Sequence, residues 1–158
     1  MNTIQLIDRK GKIRIGKKVV VSTIFDCNIN EVWKHIQNVS TLVEICKPMA
    51  KFTPYKGEMP TNWIIGKSYD FNLYFHCILP MGKHTIMIES IDEQTHKIQS
   101  REYSRLVPVW NHLIKIQSSK DGKVNYTDEI HLYAGYLTKF VAWWASCFYR
   151  HRQKRWKV

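Results

Sequence analysis

Four ionisable side chains sit where the strand pattern points inward: His84, Glu102, His112 and Asp128. His84 shares a face with Ile86 and Ile88, and His112 with Trp110, Ile114 and Ile116. Asp128 alternates with Tyr126, Ile130 and Leu132, and Glu102 with Ile98, Ser100 and Ser104. Buried ionisable groups are costly unless paired, so these four are expected to pair with one another. A His beside a carboxylate is poised to hold or move a proton. Three readings stay open. The four form a structural ion-pair network, or one strand is faced wrongly. They are the polar end of a pocket that orients an apolar ligand. Or they perform general acid–base chemistry. Two His and two carboxylates are also competent metal ligands. No His-x-x-His or His-Glu-x-x-His spacing accompanies them, so no metal and no cofactor is expected.

The elements that must position these residues are legible from periodicity. Val19 to Phe25 is β-branched and apolar, hence a strand. Asn28 with Glu31 has capping-box character, and Ile29, Val32, Trp33 and Ile36 follow at helical spacing. Thr41 with Glu44 opens a second short helix, which Pro48 ends. A strand is expected around 50–55. From Gly66 the period changes to two: Tyr69, Phe71, Leu73, Phe75 and Cys77 face inward along one long strand. Pro80 and Gly82 are expected to turn the chain. Strands over 83–91, 96–104, 109–118 and 123–133 complete an antiparallel meander, with Lys120, Asp121 and Gly122 at the last turn. Gly135 breaks the run. Leu137, Phe140, Val141, Trp144, Ala145 and Phe148 then recur at helical spacing to give one long amphipathic C-terminal helix. Trp143 faces away from that stripe and marks a homodimer contact or a half-exposed position.

Composition limits the function. A chain of 158 residues with 44% hydrophobic and 23% charged residues can bury one core plus a pocket, but not two comfortable domains. Residues 1–18 lack an apolar signal region, and no stretch is long enough for a membrane span. The four cysteines have no Cys-x-x-Cys or zinc-finger spacing, so reduced thiols and a cytoplasmic setting are expected. The net charge of +11 is concentrated at the ends. Arg9, Lys10, Lys12, Arg14, Lys17 and Lys18 lie within ten residues, and Arg150, Arg152, Lys154, Arg155 and Lys157 close the chain. The remaining 13 basic residues are matched by 13 acidic ones. Basic ends on a neutral body suit an anionic surface partner, or serve only solubility. There is no phosphate loop, nucleophile elbow, dinucleotide fingerprint or nucleic-acid module.

The order of strand, two short helices, a run of strands and a long helix resembles the START-like, or SRPBCC, superfamily. The likeness is carried by VVVSTIFDCNINEVWKHIQNVSTL at 19–42, then GKSYDFNLYFHCILP, GKHTIMIESID and WNHLIKI. It implies an α+β helix-grip fold: a curved antiparallel sheet of about six or seven strands wrapped around the C-terminal helix. Residues 1–18 would be a basic extension and 19–158 the ligand-binding domain. It also implies a cavity between sheet and helix for a small apolar or amphipathic ligand. His84, Glu102, Trp110, His112, Asp128, Phe71, Phe75, Trp144 and Phe148 are the expected contacts. The alternative within the superfamily is a polyketide cyclase- or dehydratase-like enzyme with a His–carboxylate pair. Catalytic residues differ between its branches, so none is assigned.

Overall fold

The computed structural model describes residues 1–119 and 121–156. Lys120 of the expected turn and Lys157 of the basic tail lie outside the described residues. One antiparallel sheet of eight strands contains β1 (Asn2–Ile7), β2 (Ile13–Phe25), β3 (Ala50–Pro54), β4 (Ser68–Phe75), β5 (Leu79–Asp92), β6 (Lys97–Ser104), β7 (Val109–Ser118) and β8 (Val124–Tyr133). Their spatial order is β1-β2-β8-β7-β6-β5-β4-β3. Two short helices, α1 (Ile29–Ile36) and α2 (Val39–Cys46), join β2 to β3. After a single 3-10 turn the chain ends in α3 (Thr138–Lys154). This is the helix-grip arrangement that the residue pattern implies.

The sheet has more strands than the expected six or seven because the first eighteen residues join it. Asn2–Ile7 pairs with Ile13–Lys18 in full register, and β2 continues into pairing with β8. Gly16 sits where this hairpin crosses the body of the sheet. A Cβ there would lie 2.5 Å from both the Leu132 carbonyl oxygen and Leu6 Cδ2, so only glycine lets the strands approach this closely.

Local chemistry moves two expected boundaries. Asn38, rather than Thr41, caps α2: its side-chain oxygen accepts from the Ser40 backbone N–H. The long strand stops at Phe75, and His76 and Cys77 turn the chain with φ of 47° and 63°. Cys77 therefore leaves the inner face. Pro80 and Gly82 lie inside β5 instead of forming the turn, and the β4–β5 register shifts opposite them, between Leu73 and Tyr74.

On β8 the inner face is buried in strict alternation. Val124, Tyr126, Asp128, Ile130 and Leu132 are all buried on β8. Two apolar clusters fill the interior. The larger sets Val19, Phe71, Ile88, Trp110 and Leu132 against Ala142, Ala145, Phe148 and Tyr149 of α3. The smaller gathers Val32, Trp33, Ile36, Ile116 and Tyr126 under α1. Among the described residues, no helix is long and apolar enough to cross a membrane.

Candidate functional site

The four ionisable residues form one diagonal across four neighbouring strands. His84 lies opposite Ser104, Glu102 opposite Trp110, and His112 opposite Ile130. Each next member therefore stands two residues from the direct partner, always in the same sense. Diagonal neighbours on one sheet face are within reach of long side chains. His84 Nε2 lies 2.9 Å from Glu102 Oε2, and His112 Nε2 lies 2.8 Å from Asp128 Oδ1. The other carboxylate oxygen, Glu102 Oε1, is 3.6 Å from His112 Nδ1 and accepts from Ser100 Oγ at 2.6 Å.

The far end of the diagonal is closed by α3. Arg152 Nη2 donates to Asp128 Oδ1 at 2.8 Å and to the Tyr126 hydroxyl at 3.0 Å. Gln153 Nε2 donates to Asp128 Oδ2 and to the Val21 carbonyl, each at 2.9 Å. Arg152 is 3% exposed and Asp128 fully buried, so this is a desolvated ion pair. Neither Arg152 nor Gln153 is among the contacts expected from the sequence, where Arg152 belongs to the basic end. The signal was present: Trp144, Phe148 and Arg152 continue one four-residue progression on the inner stripe. Other basic residues at the ends are also engaged. Arg14 pairs with Asp8 at 2.8 Å, Lys18 with Glu129 at 2.7 Å, and Arg9 stacks on Tyr103.

Burial works against ionisation along the diagonal, and the pairing overcomes it. His112 and His84 hold the Glu102 carboxyl well below the usual carboxylate range despite its burial. Burial would raise Asp128 too, but Arg152, His112 and Gln153 lower it. Burial would depress His112, yet its bonds to Asp128 and Glu102 raise it above its ordinary value. From Arg152 through Asp128 and His112 to Glu102, each neighbour thus favours the charged form of the next.

The diagonal borders a cavity of about 200 Å³ between sheet and α3. His84, Glu102, Trp110 and His112 line it, as do Phe75, Trp144 and Phe148. Trp144 stacks on Phe148 at 4.9 Å between ring centres, and Phe75 leans on Trp144 at 5.5 Å. Two expected contacts lie elsewhere. Phe71 is 1% exposed and packs edge-on against Phe52 and Trp63, behind the cavity wall. Asp128 is the layer beneath, behind the cavity-lining His112, Tyr126 and Arg152 that bond to it. Tyr149 and Arg152 join the wall from α3; the Tyr149 hydroxyl accepts from Trp110 Nε1 at 3.2 Å. Among the described residues, no three His, Cys, Asp or Glu side chains are arranged to hold a metal ion.

Over residues 23–157 the chain matches the family described as a domain of unknown function (DUF8410), and it belongs to that family. No curated protein matches it. Solved structures share its fold. A protein from Chromobacterium violaceum superposes with a TM-score of 0.65 at 8% identity, over 87% of this chain and 93% of that one. A hypothetical protein from Helicobacter pylori gives 0.68 at 12% identity, over 88% and 84%. Ara h 8.0201, a Bet v1-like protein of the START/SRPBCC type, gives 0.59 at 11% identity, over 87% and 95%. At these identities the likeness is one of fold.

Proposed function

We propose, on the site itself since the family description gives no function, that the chain binds a small amphipathic molecule between sheet and α3. The observation that carries this is an apolar cavity of about 200 Å³ that ends on a buried, hydrogen-bonded polar chain. A cavity of ~150 Å³ accepts benzene, and sites for drug-sized ligands start near ~300 Å³. The volume therefore suits a ring system of one or two rings rather than a full lipid. The apolar body would lie on Phe75, Trp144 and Phe148. The polar end would meet His84, Glu102 and Ser100. Both carboxylates of the buried chain already have partners, so a neutral hydroxyl or carbonyl suits that end better than a full charge. The test is solvent extraction of the purified protein followed by mass spectrometry, with a thermal-shift screen of phenols and aromatic ketones. A ligand should raise Tm and quench tryptophan emission. Val141→Trp, which fills the cavity from α3, should abolish both effects. Retention of binding in that variant would remove the proposal.

One observation favours a catalytic variant of the same reading. His84 is hydrogen-bonded to Glu102, and both line the cavity, which is the arrangement a general base needs. A bound ketone would then lose a proton from the carbon beside its carbonyl to His84, with Glu102 orienting the ring. Deuterium exchange into that carbon, followed by NMR, reads this directly. Exchange unaffected by His84→Gln would leave binding alone.

A further inference from the structure

Of the residues that line the cavity, Leu106 and Phe140 are the two that are largely solvent-exposed among those described, at 48% and 58%. The opening therefore lies between the β6–β7 loop and the first turn of α3. Its rim is apolar where a soluble rim would be polar. Tyr136, Leu137 and Trp143 are exposed on the α3 side, and Trp143 extends the patch from Phe140 with ring centres 5.8 Å apart. Ile78 is exposed on the β4–β5 turn, immediately after cavity-lining Phe75. Apolar residues scattered singly are ordinary, but a contiguous set around a mouth marks an interaction surface.

The charges decide the partner. Segments 76–83, 104–109 and 134–144 supply the rim and hold no Asp or Glu. They hold Lys83, Arg105 and Lys139, all exposed; Lys83 is paired with Asp70 at 3.1 Å, which leaves Arg105 and Lys139 as the rim cations. Exposed Trp, Tyr and Phe with Leu and Ile, flanked by Arg105 and Lys139, match the chemistry of an anionic lipid surface. Aromatic rings settle at the headgroup level there and basic side chains meet the phosphates. We infer that this rim docks the cavity mouth on an anionic phospholipid membrane, through Leu106, Phe140 and Trp143 with Arg105 and Lys139. An apolar ligand dissolved in the bilayer then passes into the cavity without crossing water. The docking itself does not depend on what the cavity holds.

The experiment is co-sedimentation of the full chain with vesicles of phosphatidylcholine, with and without phosphatidylserine. Binding is expected to phosphatidylserine-containing vesicles and to fall with added salt. Phe140→Ser with Trp143→Ser should lower partitioning about tenfold or more, and Arg105→Glu or Lys139→Glu about fivefold each. All four positions are exposed, so circular dichroism and Tm should stay at the parent values. Lys10→Glu with Lys12→Glu, at the tip of the β1–β2 hairpin, should leave binding unchanged. Loss of binding in that control with retention in the rim variants would overturn the proposal in favour of the basic N-terminus. A stable dimer in solution that dissociates in the Phe140→Ser, Trp143→Ser variant would overturn it in favour of a second copy of the chain. Absence of binding to any vesicle at low salt would also overturn it.

Discussion

Replacing Arg152 with methionine isolates the buried ion pair that anchors α3 to the sheet. Methionine keeps the apolar stem and fills comparable volume, so the change is chiefly electrostatic. Arg152 Nη2 and Asp128 Oδ1 are 2.8 Å apart, with the side chains 3% and 0% exposed. At an effective dielectric of ~20 the gross attraction at that distance is about 6 kcal/mol. Much of this repays desolvation, and removing one partner of a buried pair typically costs ~3–5 kcal/mol. Asp128 keeps His112, Gln153 and Tyr126 as partners, which places the expected loss near the lower bound, about 3 kcal/mol. With a urea m-value of ~2 kcal/mol/M, the midpoint should fall by roughly 1.5 M. The pH dependence identifies the cause. Asp128 is depressed below its ordinary 3.8 in the fold. Its contribution is therefore fully present above that value and lost as pH falls through the lowered one. In Arg152→Met that contribution shrinks, so parent and variant should converge as pH drops below about 4. In a double-mutant cycle with Asp128→Asn, the coupling should be about 2 kcal/mol. A loss under ~1 kcal/mol, or a deficit independent of pH, would refute the desolvated-pair account.

Other outcomes follow from single residues. His112 is raised, so its ring proton signals in NMR should still report the protonated form above pH 6.5. The stability it contributes is present below 6.5 and is lost as pH rises through its folded value; a titration midpoint below 6.5 would contradict this. Gly16→Ala places a methyl 2.5 Å from the Leu132 carbonyl, so it should cost about 1–3 kcal/mol in chemical denaturation. The same change should speed amide exchange across β1. Cys46 is buried with its thiol pushed up to about 12, so it should resist Ellman's reagent until unfolding. Cys27, Cys77 and Cys147 are half-buried free thiols and should react first.

The fold was legible because its determinants are local. Period-two alternation fixed which side of each strand faces the core, and the three- and four-residue spacing fixed the inner stripe of α3. Short turns made neighbours pair in sequence order. Where local signals compete, the reading slipped. Asn38 and Thr41 are both competent caps three residues apart, and only the chain's entry angle selects Asn38. The turn at His76 and Cys77 uses positive φ in residues that seldom adopt it, whereas Pro80 and Gly82 advertise a turn they do not make. The β1–β2 hairpin was hidden because its lysines and arginines read as a charged tail. Only Lys12 to Ile15 alternate, and the pairs Arg9–Lys10 and Lys17–Lys18 break the period on either side.

The site was half legible for a related reason. Alternation placed His84, Glu102, His112 and Asp128 on one face, and the meander made them neighbours. Their diagonal order needed the register, which no single strand carries. Arg152 was masked by company: four other basic residues close the chain around it, and composition cannot separate a buried cation from solvated ones. Periodicity can. Glu102 and Asp128 face a covered interior, so their partners are to be sought on the neighbouring strands and on the helix that covers them. α3 covers the far end of that face, and its inner stripe continues from Phe148 by one helical turn to Arg152. The helical period of the inner stripe thus finds the residue that charge counting along the chain conceals.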